Sequence, residues 1–319
     1  MYKAIIITAV QNSIFANMKV LITGSNGLLG QKLIYAMAGK PGWEVVATSK
    51  GENRIRLKEG YRYQTLDITS KQEVDSLISS ERPDCIINTA AMTNVDACEK
   101  DRDGCNALNV DAVRYLIEAC RPFNTHFIHV STDFVFDGEN GPYKETDAPN
   151  PLSYYAWSKL ESEKLVESSG LDYAILRTII IYGVVDDVQR SNLVLWTKSS
   201  LEQQKEINVI TDQYRSPTLA EDLAQACILA MQQRAQGIYH ICGPEEDLDS
   251  IINLAFKVAD FFGLDPSYIK PIDSASLNQP AKRPPRTGFI LDKARRELGY
   301  APHRFVEGLQ ILKGQLEKK

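Results

Sequence analysis

Tyr155 and Lys159 stand four residues apart, a spacing that puts both on one face of a helix. A phenol with an ordinary pKa of ~10 is a sluggish acid-base group at neutral pH, and an adjacent ammonium stabilises its phenolate. Such a pair can exchange a proton with a reacting oxygen, although the same spacing also occurs on plain surface helices. Thr132, Asp133 and Phe134 follow an apolar run that ends near Val130. Hydroxyl and carboxylate groups at the C-terminal edge of a parallel strand fall where doubly wound folds bind ligands, which makes these three candidates to hold a substrate. Thr132 and Asp133 would equally serve to cap a turn.

A third motif precedes them. Gly24-Ser25-Asn26-Gly27-Leu28-Leu29-Gly30 has the spacing G-x-x-G-x-x-G. It lies between the β-branched run Lys19–Thr23 and a helical pattern of Leu28, Leu29, Leu33, Ile34 and Met37. Glycines there allow a tight turn and close approach of a pyrophosphate, whose charge meets the free N–H groups and positive dipole end of the helix. The motif therefore points to a dinucleotide. NAD sites usually end their second strand with Asp or Glu for the ribose 2′-hydroxyl, but this chain reads Ala47-Thr48-Ser49-Lys50. A hydroxyl and a cation at Ser49 and Lys50 suit a 2′-phosphate, so NADP(H) is favoured and NAD(H) is the alternative. Lys50 and Arg54 could also be ordinary loop charges.

The elements that must carry these residues alternate. Short apolar runs at 44–47, 63–66, 84–88, 127–131 and 173–177 are separated by helical patterns such as 113–120, which predicts an α/β fold with a Rossmann-type doubly wound parallel sheet. Beyond Gly183 the alternation loosens, although 217–231 reads as a helix and 237–241 as a strand. The expected division is a nucleotide-binding domain over 18–183, with 207–243 returning to it, and a smaller C-terminal α/β substrate domain from 184–206 and 244–319. Phe305, Leu309, Leu312 and Leu316 mark a final packing helix. Residues 1–17 carry a short, interrupted apolar patch and match a signal peptide poorly. They are expected to be a disordered extension or a start-site artefact ahead of Met18.

Composition narrows the class. The 319 residues are 44% hydrophobic and 24% charged, near globular averages, which argues against a disordered or fibrous chain. A net charge of −5 without a long basic run gives no footprint for nucleic acid. The six cysteines form no Cys-x-x-Cys pair and the four histidines no His-Glu-x-x-His group, so no metal site is expected. No apolar run reaches the ~18 residues that a membrane span needs, and a cytoplasmic location is expected.

Taken in order, Gly24-x-x-Gly27-x-x-Gly30, Asn88-Thr89-Ala90-Ala91, Ser131-Thr132-Asp133 and Tyr155-x-x-x-Lys159 resemble the extended short-chain dehydrogenase/reductase family. Thr93-Asn94-Val95-Asp96, Phe136-Asp137-Gly138, Asn150-Pro151-Leu152, the segment 212–218 and Arg283-Pro284 look like its dTDP-4-dehydrorhamnose reductase branch, from about Met18 to the final helix. The resemblance implies NAD(P)H-dependent reduction of a 4-keto nucleotide sugar in deoxysugar biosynthesis. Tyr155 would donate the proton, Lys159 would hold nicotinamide-ribose hydroxyls and lower the tyrosine pKa, and Thr132 would hydrogen-bond the substrate carbonyl. Negative charge that develops on that oxygen is stabilised more in the transition state than in the ground state. By the same likeness Asp67 and Ile68 flank adenine, Ala90, Ala91 and Thr93 line the cofactor channel, and Asn109 supports the active-site backbone within the cofactor set. Arg215 and Arg283 would contact the diphosphate, whose oxygens suit guanidinium forks. The partners implied are a nucleotide-sugar substrate and, as an open alternative, a second copy in a homodimer.

Two departures keep other readings open. Arg177-Thr178 is followed by Ile179-Ile180-Ile181, where such reductases usually carry Ser-Trp, and Arg215 stands where Gly usually precedes a small residue and Pro. One alternative is an NADP-binding regulatory subunit resembling the β subunit of methionine adenosyltransferase, which shares the scaffold and also lacks that Trp. Another is a nucleotide-sugar epimerase, which returns its cofactor to the starting redox state.

Overall fold

The computed structural model describes residues 18–186 and 192–318; the stretch expected to be an extension, 1–17, lies outside them. Short Val- and Ile-rich runs buried on both faces have no side to show to water, so they form the middle of a parallel sheet. The strands are β1 (Met18–Thr23), β2 (Trp43–Ser49), β3 (Arg62–Thr65), β4 (Cys85–Asn88), β5 (His126–Thr132), β6 (Tyr173–Thr178) and β7 (Gly237–Ile241). They pair in parallel in the order β7-β6-β5-β4-β1-β2-β3, the doubly wound sheet expected from the sequence. The order changes direction between β1 and β4, which leaves a crevice outside the strands' carboxyl ends.

Successive side chains of a strand point to opposite faces, so each face needs its own cover. The helices are α1 (Leu28–Met37), α2 (Lys71–Glu81), α3 (Val95–Lys100), α4 (Arg102–Asn106), α5 (Ala112–Cys120), α6 (Tyr154–Glu167), α7 (Leu193–Glu202), α8 (Ala220–Gln232), α9 (Ile251–Phe262) and α10 (Phe305–Leu316). Val20, Ile22 and Ile87 pack under α1 and α8, while Leu21, Ile86 and Phe127 pack under α2, α5 and α6. Helix α8 starts later than the apolar pattern suggests, because Thr218–Leu219 pairs with Ile181–Tyr182. Of the stretch 207–243, α8 and β7 join the large sheet, whereas Ile207–Ile210 pairs with Ile269–Ile272 away from it.

The smaller cores lie among α7, α9 and α10, around Val194, Leu254, Val258 and Leu309, and around Leu201, Val209 and Ala255. Beside them Tyr214–Arg215 runs between Asp249–Ser250 and Arg286–Thr287. Phe305, Leu309 and Leu312 of α10 are buried, and Gly308 lies so close to the Tyr182 phenol that a Cβ would collide with its oxygen. Lys32 of α1 reaches Gln315 and Glu221, each at 2.8 Å, and so ties α10 to α1 and α8. Among the described residues no helix is long and apolar enough to cross a membrane, and no cluster of three or more His, Cys, Asp or Glu could hold a metal ion. All six cysteines are buried and free.

Candidate active site

The glycine loop is shaped by close packing. Gly24 turns at φ +66°, and a Cβ there would sit 2.9 Å from the Ala90 backbone. A Cβ on Gly30 would lie 2.5 Å from Gly24 O and Ser25 Cα, so α1 presses directly on the loop. Gly27 caps α1 with no side-chain hydrogen bond, which leaves the first N–H groups of the helix without a side-chain cap. This bare, positively polarised end fits a pyrophosphate. Asn26 steadies the rim: its amide donates to Glu52 O and its oxygen accepts from the Arg54 N–H, each at 2.9 Å.

A cleft of about 740 Å³ runs from this loop over the sheet's carboxyl edge. Gly24, Asn26, Gly27, Leu28, Leu29, Gly30, Ser49, Lys50, Asp67 and Ile68 line one end, Ala90, Ala91 and Thr93 the middle, and Thr132, Asp133, Phe134, Tyr155, Lys159, Arg215 and Arg283 the other. Two expected members are not among the lining residues. Ser25 turns inward; its N–H donates to Thr48 O and its buried Oγ has no hydrogen-bond partner. Asn109 stands behind the wall, where Oδ1 accepts from the Met92 N–H at 2.8 Å and Nδ2 donates to Ser158 Oγ at 3.0 Å. It therefore braces α6 against the chain after β4.

Lys50, expected as a cation for a 2′-phosphate, lies 2.6 Å from Asp67 Oδ2. That pairing raises the lysine pKa and lowers the aspartate pKa, so the charge at this end is shared within the protein.

At the other end α6 begins at Ser153, whose hydroxyl accepts from the Ala156 N–H. Its first turns carry Tyr155 and Lys159 into the cleft. Burial pushes the Tyr155 phenol well above its ordinary pKa, and a hydrogen bond with Thr132 pulls only partly the other way. The expected depression by Lys159 is not found, because its Nζ is turned to the strand, 2.8 Å from Val130 O and 3.1 Å from His129 Nε2. Burial brings the Lys159 ammonium down to about 8, with Glu163 opposing. The Phe134 ring meets Tyr155 edge-on, with centroids 6.0 Å apart.

The substrate cations are also engaged. Arg215 is buried and donates to the carbonyls of Tyr214 and Pro284 at 2.7 Å and of Pro285 at 3.3 Å. Its Nε is 3.6 Å from Asp133, whose carboxylate also accepts from Thr132 and Thr287. Asp133 thus serves as an internal anchor; burial raises its pKa and Arg215 opposes the shift. Arg283 makes a bidentate pair with Asp96, at 2.8 and 3.2 Å. The two guanidinium groups expected to grip a diphosphate are therefore already paired.

Sequence reasoning missed His129, Asp96 and Thr287. Asp96 ends Thr93-Asn94-Val95-Asp96, and His129 lies two positions before Ser131 on the same strand, so position alone could have found both. Nothing in the spacing marks Thr287. Ile180, Ile181, Ile210 and Ile251 also line the cleft as an aliphatic wall, and the first two lie just after Arg177-Thr178, the dipeptide that such reductases usually follow with Ser-Trp.

Comparison with known proteins agrees with this geometry. The model of the RmlD substrate binding domain matches residues 18–316. The dTDP-4-dehydrorhamnose reductase of Aggregatibacter actinomycetemcomitans is 32% identical over 312 residues, covering 94% of this chain and 99% of its own. Methionine adenosyltransferase 2 subunit beta of Bos taurus is also 32% identical, over 82% of this chain and 77% of its own. The crystal structure of a dTDP-4-dehydrorhamnose reductase from Clostridium acetobutylicum superposes with a TM-score of 0.83 at 29% identity, over 94% of this chain and 100% of that one. That of the Bacillus anthracis reductase in complex with NADP gives 0.79 at 26% identity, over 94% and 99%. With a glycine-cradled cleft, a doubly wound sheet and a match along nearly all of its described length, the chain belongs to the RmlD substrate binding domain family and has the extended short-chain dehydrogenase/reductase fold.

Proposed function

We propose that the protein is an NADPH-preferring reductase of a 4-keto nucleotide sugar, of the dTDP-4-dehydrorhamnose reductase kind, acting in the cytoplasm. The observation that carries this reading is the convergence of Thr132, Tyr155 and Lys159 on one cleft with the glycine loop. Gly24, Gly27, Gly30 and the start of α1 would hold the pyrophosphate, with Ser49 and Lys50 near a 2′-phosphate. The bound cofactor supplies the hydride. As charge builds on the carbonyl oxygen, Tyr155 delivers its proton there, and Thr132 would turn its hydroxyl proton from Asp133 Oδ1 to that oxygen. A phenol that burial keeps protonated is an acid, which suits reduction better than oxidation. Lys159 would turn from Val130 O towards the ribose hydroxyls and the phenolate left on Tyr155. Phe134 and the isoleucine wall keep water from the reacting oxygen.

One observation favours a second reading. With Arg215 and Arg283 both paired and no aromatic wall, the substrate end lacks free donors for a diphosphate among these two arginines. That would suit a cofactor-binding subunit like methionine adenosyltransferase subunit beta. The test mixes the protein with NADPH and dTDP-4-dehydrorhamnose and follows nicotinamide absorbance, with Tyr155→Phe as control. Oxidation that the substitution abolishes supports the reductase. NADPH binding without oxidation moves the assignment to the subunit, and sugar conversion without net NADPH loss moves it to an epimerase.

A further inference from the structure

A hydrogen-bonded row crosses the sheet behind the cleft. Thr23, Asn88 and His129 are register partners on β1, β4 and β5. Thr23 Oγ1 donates to Asn88 Oδ1 at 2.6 Å, which turns the amide nitrogen of Asn88 to His129 Nδ1 at 3.1 Å. On the far side of the ring, Ser162 gives its hydroxyl proton to Lys159 O at 2.7 Å. It therefore shows a lone pair to His129 Nε2 at 3.0 Å. Both neighbours select the tautomer with a bare Nδ1 and a protonated Nε2. Burial and the Lys159 charge hold the His129 pKa well below its ordinary value, so the ring is neutral.

Lys159 Nζ lies 3.1 Å from that same Nε2. An ammonium only donates, and an N–H facing it has no lone pair to give. Val130 O, at 2.8 Å, is then the acceptor left to Lys159 among the described residues. We infer that His129 is a positioning residue for Lys159: it presents an N–H where the ammonium needs an acceptor, so the ammonium is weakly held on the sheet side and ready to turn into the cleft. The inference rests on the proposed hydride-transfer site, which gives Lys159 something to turn towards.

Glu163 on α6 and Cys105 on α4 act on the Nζ charge, and Tyr155 and Asp133 line the same cleft. Arg177 on β6 takes up the Glu163 charge through bonds of 2.7 to 3.2 Å. Asn88 and Thr23 are uncharged. Burial lowers the Lys159 ammonium to about 8 against the pull of Glu163 and Cys105.

Cofactor binding reads this proton without turnover. A cofactor that prefers the charged lysine raises its pKa, so NADPH affinity should fall as pH climbs past about 8. His129→Gln can offer an amide oxygen to Nζ and should move that fall upward by about one pH unit, roughly a tenfold gain in relative affinity above the wild-type midpoint. Lys159→Met should abolish the fall. Only four histidines need assigning in ¹⁵N-labelled protein, and the His129 ring should be protonated on Nε2 alone. A fall at the same pH in folded His129→Gln, its persistence in Lys159→Met, or a ring protonated on Nδ1 overturns the inference. If His129→Gln does not fold, the tautomer seen in the wild type decides. Failure of the reductase reading is distinct: NADPH would bind with the same pH dependence, yet no keto sugar would oxidise it.

Discussion

At the cofactor end of the cleft, Gly24, Gly27 and Gly30 offer bare backbone and an uncapped helix end, whereas at the substrate end each arginine already has a carboxylate. The first arrangement needs no particular side chain beyond the absence of one, so it can be read from spacing. The second depends on partners far apart in sequence, Arg215 with Asp133 and Arg283 with Asp96. A charge at such a site cannot be counted as available until its partner is known. The cofactor end has one similar case, Lys50 with Asp67, but that pair lies at the surface and is screened by solvent.

The sharpest way to break this contrast is Gly30→Ala. Its new methyl group would meet backbone that cannot move aside, and we expect NADPH binding to be lost together with about 1–3 kcal/mol of stability. Unchanged melting and cofactor affinity would refute the backbone account. Next comes Tyr155→Phe, which on the reductase reading lowers kcat by about 10²–10⁴ while NADPH affinity stays near wild type. A comparable loss of cofactor affinity would instead make the phenol part of the binding wall. Asp96→Asn then sharpens the substrate end. It releases Arg283 from its ion pair and should lower KM for a nucleotide sugar on the order of tenfold, the scale of a charge-assisted hydrogen bond. A raised KM would show that Asp96 orients Arg283 for the substrate. Smallest is Asp67→Asn, which frees Lys50 and should raise the preference for NADPH over NADH by about threefold at low salt, less at high salt. An equal change for both cofactors would place Lys50 away from the 2′-phosphate.

What could be read in the sequence follows the same divide. Hydrophobic period and turn glycines locate strands and the phosphate loop, because those signals are local. The four-residue spacing of Tyr155 and Lys159, and the place of Thr132 just after a strand, are local signals of the same kind. Direction was harder: Ser25 faces inward and Asn109 stands behind the wall, since spacing within a motif does not tell lining residues from bracing ones. Burial raises the Tyr155 pKa, and the acceptor that Lys159 Nζ has found is Val130 O. That carbonyl lies on β5 and cannot be seen in the interval between Tyr155 and Lys159.

The clamp between the last helix and the cofactor helix gives the chain a remote reporter. Because Lys32 reaches both Gln315 and Glu221, fraying of the last turn of α10 breaks its tie to α1. A dinucleotide that steadies α1 would then slow deuterium uptake at amides of α10, on the opposite flank from Tyr155, and the final turn of the protein would register whether its glycine loop is filled.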